Sequence, residues 1–155
     1  MKIYLVQHGE AMEKEENPER PLTPKGRHDA EAVAEFLARA GIRVEEVLHS
    51  GKTRARETAG IFQTRLCPEA PAREHEQLAP NDPVRGWQLA FDGQEFDTML
   101  VGHLPHLSRL ANMLLTGKEK PEVLQFQRAG VVCLECCEQR WAVRWMVVPE
   151  LLEKP

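Results

Sequence analysis

The chain has 155 residues, 42% of them apolar and 28% charged, with a formal net charge of −4. Those values predict one ordinary soluble domain over 1–155 with a single substantial core. They argue against a general nucleic-acid or anionic-membrane binder. No apolar run approaches the ~20 residues that span a bilayer, and no signal-peptide pattern opens the chain, so the cytoplasm is the expected compartment.

Ile3 to Val6 is an unbroken apolar run, which predicts a central strand leading into Gln7-His8-Gly9-Glu10. A histidine at the carboxyl end of such a strand sits where open α/β sheets place their ligand crevice. Gly9 lets the backbone turn and a ligand approach closely. A polar loop follows from Ala11 to Leu22, with Glu13-Lys-Glu-Glu16 read as its solvated part. Thr23-Pro24 then marks an N-cap with proline at the first helical position. Ala30, Val33, Ala34 and Leu37 give that helix one buried face, and Gly41 stops it.

Val44 to His49 is predicted as the second strand, with Ser50-Gly51 capping a second helix whose inner face is Ala55, Thr58, Ala59, Phe62 and Leu66. A proline-rich passage from Pro68 to Pro83 carries a short strand around Arg73 to Glu76. Val84 to Phe91 reads as a helix ended by Asp92-Gly93. Phe96 to Val101 reads as a strand, and Leu107, Leu110, Ala111 and Leu114 mark the next helix. An antiparallel hairpin closes the chain, Gly130 to Cys137 and Trp141 to Val148, turned through Glu138-Gln-Arg140. Strands alternating with helices before a hairpin imply a mixed α/β sandwich.

The cysteines are Cys67, Cys133, Cys136 and Cys137. On an alternating strand Cys133 and Cys136 point to opposite faces and cannot share a metal without a bulge. Buried structural thiols are expected. His103 and His106 have a spacing that can bind a metal, but no carboxylate pattern stands beside them, so no metal site is expected. His28, His49 and His75 read as surface or strand-end residues. Trp87, Trp141 and Trp145 fit core or hairpin packing. Trp141 and Trp145 share a strand face by parity and are candidates to flank a crevice.

Polar clusters fall where strands end or helices begin: Gln7-His8-Gly9-Glu10, Ser50-Gly-Lys-Thr-Arg54-Ala-Arg56 and Gly102-His103-Leu-Pro-His106. Helix N-termini offer free N–H groups and a positive dipole end, which suit a phosphate. Paired histidines, cations and such termini in one crevice describe phosphoryl transfer without a metal or other cofactor.

With these motifs, in this order and spacing, the chain resembles the histidine phosphatase superfamily, specifically its short bacterial phosphohistidine phosphatases (SixA-type). The resemblance rests on Gln7-His-Gly-Glu10, Arg20-Pro-Leu-Thr23, Ser50-Gly-Lys-Thr-Arg54-Ala-Arg-Glu-Thr58 and Gly102-His-Leu-Pro105. It implies a phosphoglycerate mutase-like fold, a three-layer α/β/α sandwich on a mixed, mostly parallel sheet. It implies that His8 is the nucleophile and is transiently phosphorylated, its other ring nitrogen held by a backbone carbonyl. By the same resemblance Arg54 grips phosphoryl oxygens in a bidentate fork, with Gly102 in the phosphate-binding turn. His103, as imidazolium, stabilises the transferring group, and water then hydrolyses phospho-His8. The implied substrate is a phosphohistidine-bearing protein of the phosphotransfer-domain type.

Gln7 departs from the family's arginine, keeping amide donors but losing the charge and the fork. Arg20, Lys52 and Arg56 are the candidate replacements. An active enzyme with relocated charge, a slow enzyme and a phosphate-binding module without turnover all remain open. A small-molecule phosphomonoesterase is a further alternative. For a general acid the candidates are Glu76 and Asp82, since Gln77 stands where the family has glutamate. With no long insertion to form a lid, a phosphoramidate on another protein's surface suits the site better than a sugar phosphate.

Overall fold

The computed structural model describes residues 1–153. At its centre lies β1 (Lys2–Gln7), whose apolar run from Ile3 to Val6 is sealed from solvent. Alternation divides that run: Tyr4 and Val6 enter one core, Ile3 and Leu5 the other. A strand buried on both faces needs cover on both, which explains why its apolar residues are uninterrupted.

That cover comes from helices on each side. On one face α1 (Pro24–Arg39) contributes Ala30, Val33, Ala34 and Leu37, and α2 (Thr53–Leu66) contributes Ala55, Ala59, Phe62 and Leu66. On the other, α3 (Arg85–Phe91) brings Trp87 and Phe91, and α4 (His106–Thr116) brings Leu107, Leu110, Ala111 and Leu114. Each large side chain so buried stabilises the fold by about 1.5–3 kcal/mol before conformational entropy is counted. The remaining strands are β2 (Glu46–His49), β3 (Arg73–Glu74), β4 (Thr98–Gly102), β5 (Val131–Cys137) and β6 (Arg140–Val147). They form a six-stranded sheet in the order β3-β2-β4-β1-β5-β6. Pairing is parallel from β3 through β1 and antiparallel across β5 and β6. This is the expected α/β/α sandwich with a mixed, mostly parallel sheet.

The topology dictates where a crevice opens. From β1 the chain passes to α1 on one face, whereas from β4 it passes to α4 on the opposite face. Adjacent parallel strands whose following helices diverge leave a gap at their carboxyl ends. Register makes the gap specific, because Gln7 lies opposite Gly102 and His49 opposite Val101.

Local signals explain the helix next to that gap. Thr23 is the N-cap of α1, its hydroxyl accepting from Gly26 N at 3.0 Å, with Pro24 following. The loop before it is tied off by an Ala11–Leu22 bridge and by Met12 N donating to Pro21 O at 2.8 Å. A Cβ on Gly9 would meet the Gly26 carbonyl oxygen at 2.8 Å, so the residue after His8 is glycine because α1 packs directly on its backbone.

Some expectations are corrected. Ser50-Gly51 does not cap α2; its N-cap is Lys52, without a side-chain hydrogen bond, because Ser50 is engaged elsewhere. The hairpin turns through Glu138 and Gln139 alone, both at positive φ (51° and 63°), since Arg140 already pairs with Cys137. Trp141 and Trp145 do not share a face. A bulge leaves Arg144 unpaired between the Leu134–Val143 and Cys133–Trp145 pairs, which inverts the parity. Trp141 therefore packs on Phe91 and Trp145 on Tyr4, ring centroids 5.8 Å apart in each pair, and neither flanks the crevice. Of the thiols only Cys67 and Cys133 are buried; Cys136 is half-buried and Cys137 exposed, because β5 outruns its helical cover.

Candidate active site

The carboxyl ends of β1, β2 and β4 bring together residues far apart in the chain. His8 N donates to Gly102 O at 3.1 Å, which continues the β1–β4 ladder and brings the His8 and His103 rings together, tilted at 52° with centroids 5.0 Å apart. Both are buried, at 9% and 2% exposure. Arg54, in the first turn of α2, reaches in so that its Nε lies 3.3 Å from His8 Nε2.

The tautomer of His8 follows from its partners. Nδ1 lies 2.7 Å from Gly9 O, a carbonyl that can only accept, so Nδ1 carries the proton. Arg54 donates from the other side, so Nε2 holds the free lone pair. Burial, opposed by the Gly9 hydrogen bond and assisted by Arg54, Arg128 and Arg20, pushes the pKa of His8 down to about 4. At neutral pH the ring is an uncharged base aimed at a guanidinium.

His103 Nε2 lies 2.6 Å from Ser50 Oγ, while its buried Nδ1 has no partner among the described residues. Burial first, then His8, Arg54, Lys52 and His106, holds its pKa down at about 3. At neutral pH His103 is therefore uncharged, and its imidazolium form requires an anion that offsets the surrounding positive charge. Burial, then Arg20, also lowers the pKa of Arg54.

Further contacts fix this geometry. Thr58 Oγ1 accepts from Gly9 N at 3.0 Å and donates to Arg54 O at 2.7 Å, linking the backbone beside His8 to the helix that carries Arg54. Gly51 has φ of 82°, and its N–H donates to His49 Nδ1 at 3.1 Å. Proline at this position would supply neither that φ nor that donor.

The family model of the histidine phosphatase superfamily (branch 1) matches residues 3–80. An uncharacterized protein of Picosynechococcus sp. is 31% identical over 144 residues, covering 86% of this chain and 84% of the relative. The chain belongs to the histidine phosphatase superfamily. It is also similar to the mitochondrial serine/threonine-protein phosphatase PGAM5 of Rattus norvegicus, 34% identical over 96 residues. That match takes in 56% of this chain and 32% of PGAM5, about a third of the relative's length. Among solved structures, the protein histidine phosphatase SixA complexed with tungstate superposes with a TM-score of 0.84 at 23% identity, covering 99% of this chain and 100% of that one. The fold is therefore that of SixA.

Within this superfamily fold, the other candidates divide. Gln7 ends β1, half-buried, its carbonyl accepting from Ala129 N at 2.9 Å, and its side-chain amide has no hydrogen bond among the described residues. Gly102 is the buried last residue of β4, its carbonyl engaged by His8 N. Arg20 sits at φ 48° with its Nε donating to Met12 O at 3.1 Å, and its charge bears on both His8 and Arg54. Lys52 bears on His103. Arg56 is exposed and bears on His49 instead, which removes it from the candidate replacements.

The candidate acids are not in contact with the histidine pair. Glu76 is exposed in a single 3-10 turn, and the Asp82 carboxylate accepts from Ala79 N at 2.8 Å, closing its own loop. His106 is fully buried with both ring nitrogens unpartnered among the described residues. Sequence reasoning missed the Ser50–His103 contact and the bracing by Thr58, although both lie within a quoted motif. It also missed Arg128, which belongs to no motif and comes within electrostatic reach of His8 through the segment before β5.

Proposed function

We propose that the chain is a phosphohistidine phosphatase that acts, without metal or other cofactor, on a histidine-phosphorylated protein of the phosphotransfer-domain type in the cytoplasm. The observation that carries this reading is the state of His8: Nδ1 is anchored 2.7 Å from the Gly9 carbonyl, leaving Nε2 as the nucleophile beside Arg54. His8 Nε2 attacks phosphorus, the N–P bond of the substrate breaks, and the departing imidazole takes a proton from solvent. The Gly9 carbonyl stabilises the positive phospho-His8 ring through Nδ1–H. Water then forms a new O–P bond as the His8 N–P bond breaks, releasing inorganic phosphate.

Arg54 and Arg20 would hold the phosphoryl oxygens. The dianion raises the pKa of His103, which then donates to an oxygen as charge shifts during transfer. A neutral imidazole is a better leaving group than an alkoxide, so the lack, among the described residues, of a carboxyl group in contact with the histidine pair favours a phosphoramidate. The name of the SixA relative agrees with that substrate class. The names of the PGAM5 relatives point to phosphate esters of proteins, and the assay must include them.

The test is hydrolysis of a phosphorylated phosphotransfer domain, a phosphoserine peptide and p-nitrophenyl phosphate, with alkaline quenching to trap phosphoenzyme. Expected are preferential turnover of the phosphohistidine protein and an acid-labile, base-stable label that His8→Ala abolishes. Comparable hydrolysis of the esters would make the chain a general phosphomonoesterase. Phosphate affinity with no turnover and no label would make it a binding module.

A further inference from the structure

Gln7 brings no charge to its wall of the site, yet a doubly charged phosphoryl group must be held there. The backbone beside Gln7 points to what supplies it. Ala129 N donates to Gln7 O at 2.9 Å, and Gly130 N closes a tight turn on Gln127 O at 2.9 Å. Ala129 is fully buried and sits at φ 60°, a left-handed conformation that a non-glycine residue adopts rarely. Such an outlier persists where surrounding structure over-determines it. Here the turn delivers the preceding residue, Arg128, beside the end of β1.

Arg128 is exposed, and among the described residues it has no ion pair or side-chain hydrogen bond. That distinguishes it from Arg27, Arg39, Arg65, Arg73, Arg109 and Arg144, each of which holds a carboxylate. It lines a cleft of about 340 Å³ with Lys25 and four acids, Glu10, Asp29, Glu150 and Glu153, and among the described residues it pairs with none of them. Its charge nevertheless reaches His8, ranking after Arg54 and ahead of Arg20 among the cations that bear on that ring.

We propose that Arg128 is a phosphoryl-gripping residue, its guanidinium closing on the phosphoryl group from the Gln7 side while Arg54 holds it from α2. The assignment rests on the phosphatase reading for its kinetic consequence but not for its anion affinity. Arg128 and Gln7 then form a functional pair, with charge moved from the strand to the turn beside it.

The experiment uses the full chain and measures two quantities, tungstate affinity by calorimetry and kcat/KM on a phosphohistidine protein. Arg128→Ala is expected to weaken tungstate binding at least tenfold and to lower kcat/KM by about 10²–10³, the usual cost of one transition-state donor. Arg128→Lys should recover part of the affinity, and Gln7→Arg should restore turnover in the Arg128→Ala background. Loss of tungstate affinity in a protein that hydrolyses nothing would retain this assignment and reject the phosphatase reading. Unchanged tungstate affinity in Arg128→Ala, with circular dichroism confirming the fold, would overturn it, as would failure of Gln7→Arg to rescue.

Discussion

Thr58 illustrates how one side chain can tie a nucleophile to its phosphate ligand. Its hydroxyl bridges the buried Gly9 N and the part-buried Arg54 O. Thr58→Val keeps the shape but strands the Gly9 N–H, and a buried unsatisfied donor costs about 1–3 kcal/mol. A lower urea midpoint together with reduced kcat is the expected outcome; a midpoint equal to that of the parent would refute the bracing role. His8 itself should titrate near pH 4 rather than 6.5, because burial and the arginines around it disfavour the imidazolium. Ring-proton NMR over pH 3–8 checks this, and Arg54→Ala should move the midpoint upward by removing the guanidinium 3.3 Å from Nε2.

Each element that meets at the crevice is held by a short-range device. At the start of α1 it is the Thr23 cap, and Thr23→Ala should cost about 1 kcal/mol in a denaturant titration. Before α2 it is the turn at Gly51, where positive φ and the hydrogen bond to His49 act together. Gly51→Ala should destabilise by about 1–2 kcal/mol through the left-handed backbone alone. Gly51→Pro should cost more, since it also deletes the N–H. Equal stability of the proline variant and the parent would show that the turn can be rebuilt, weakening the claim that glycine is required. The β6 bulge is a device of the same kind: it decides which core receives each tryptophan.

Over the whole molecule, the depressed histidines link stability to pH. Burial above all pushes His8, His103 and His106 down to about 4, 3 and 4. The unfolded chain, whose histidines titrate near 6.5, binds more protons than the folded chain between that value and the folded ones. Stability is therefore fully present above pH ~6.5 and falls as the solution is acidified toward pH 4, by about 1.4 kcal/mol per pH unit for each such group. Urea titrations at pH 7, 6 and 5 should show the decline. His106→Leu, which removes one buried imidazole and its influence on His103, should flatten it. An unaltered pH slope in that variant would mean that His106 is solvated in solution.

Much of this architecture can be read from residue order alone, because it depends on local periodicity. The unbroken Ile3–Val6 run, the Thr23-Pro24 cap, the inner face of α2 and the histidines ending β1 and β4 are all statements about neighbours in sequence. The expectation that His8, Arg54 and His103 belong to one crevice is instead what the family resemblance of their motifs implies. The partner of each side chain is a different matter. Ser50 against His103, Thr58 against Gly9 and Arg128 beside Gln7 span long stretches of chain and depend on strand register. Register has a period of two, so one inserted residue reverses every side chain beyond it, as Arg144 does for Trp141. Sequence by itself determined which elements form and which chemical groups stand at their ends. Only the tertiary structure decided which groups meet and in what protonation state, because contact and burial arise when distant segments share one volume from which water is excluded.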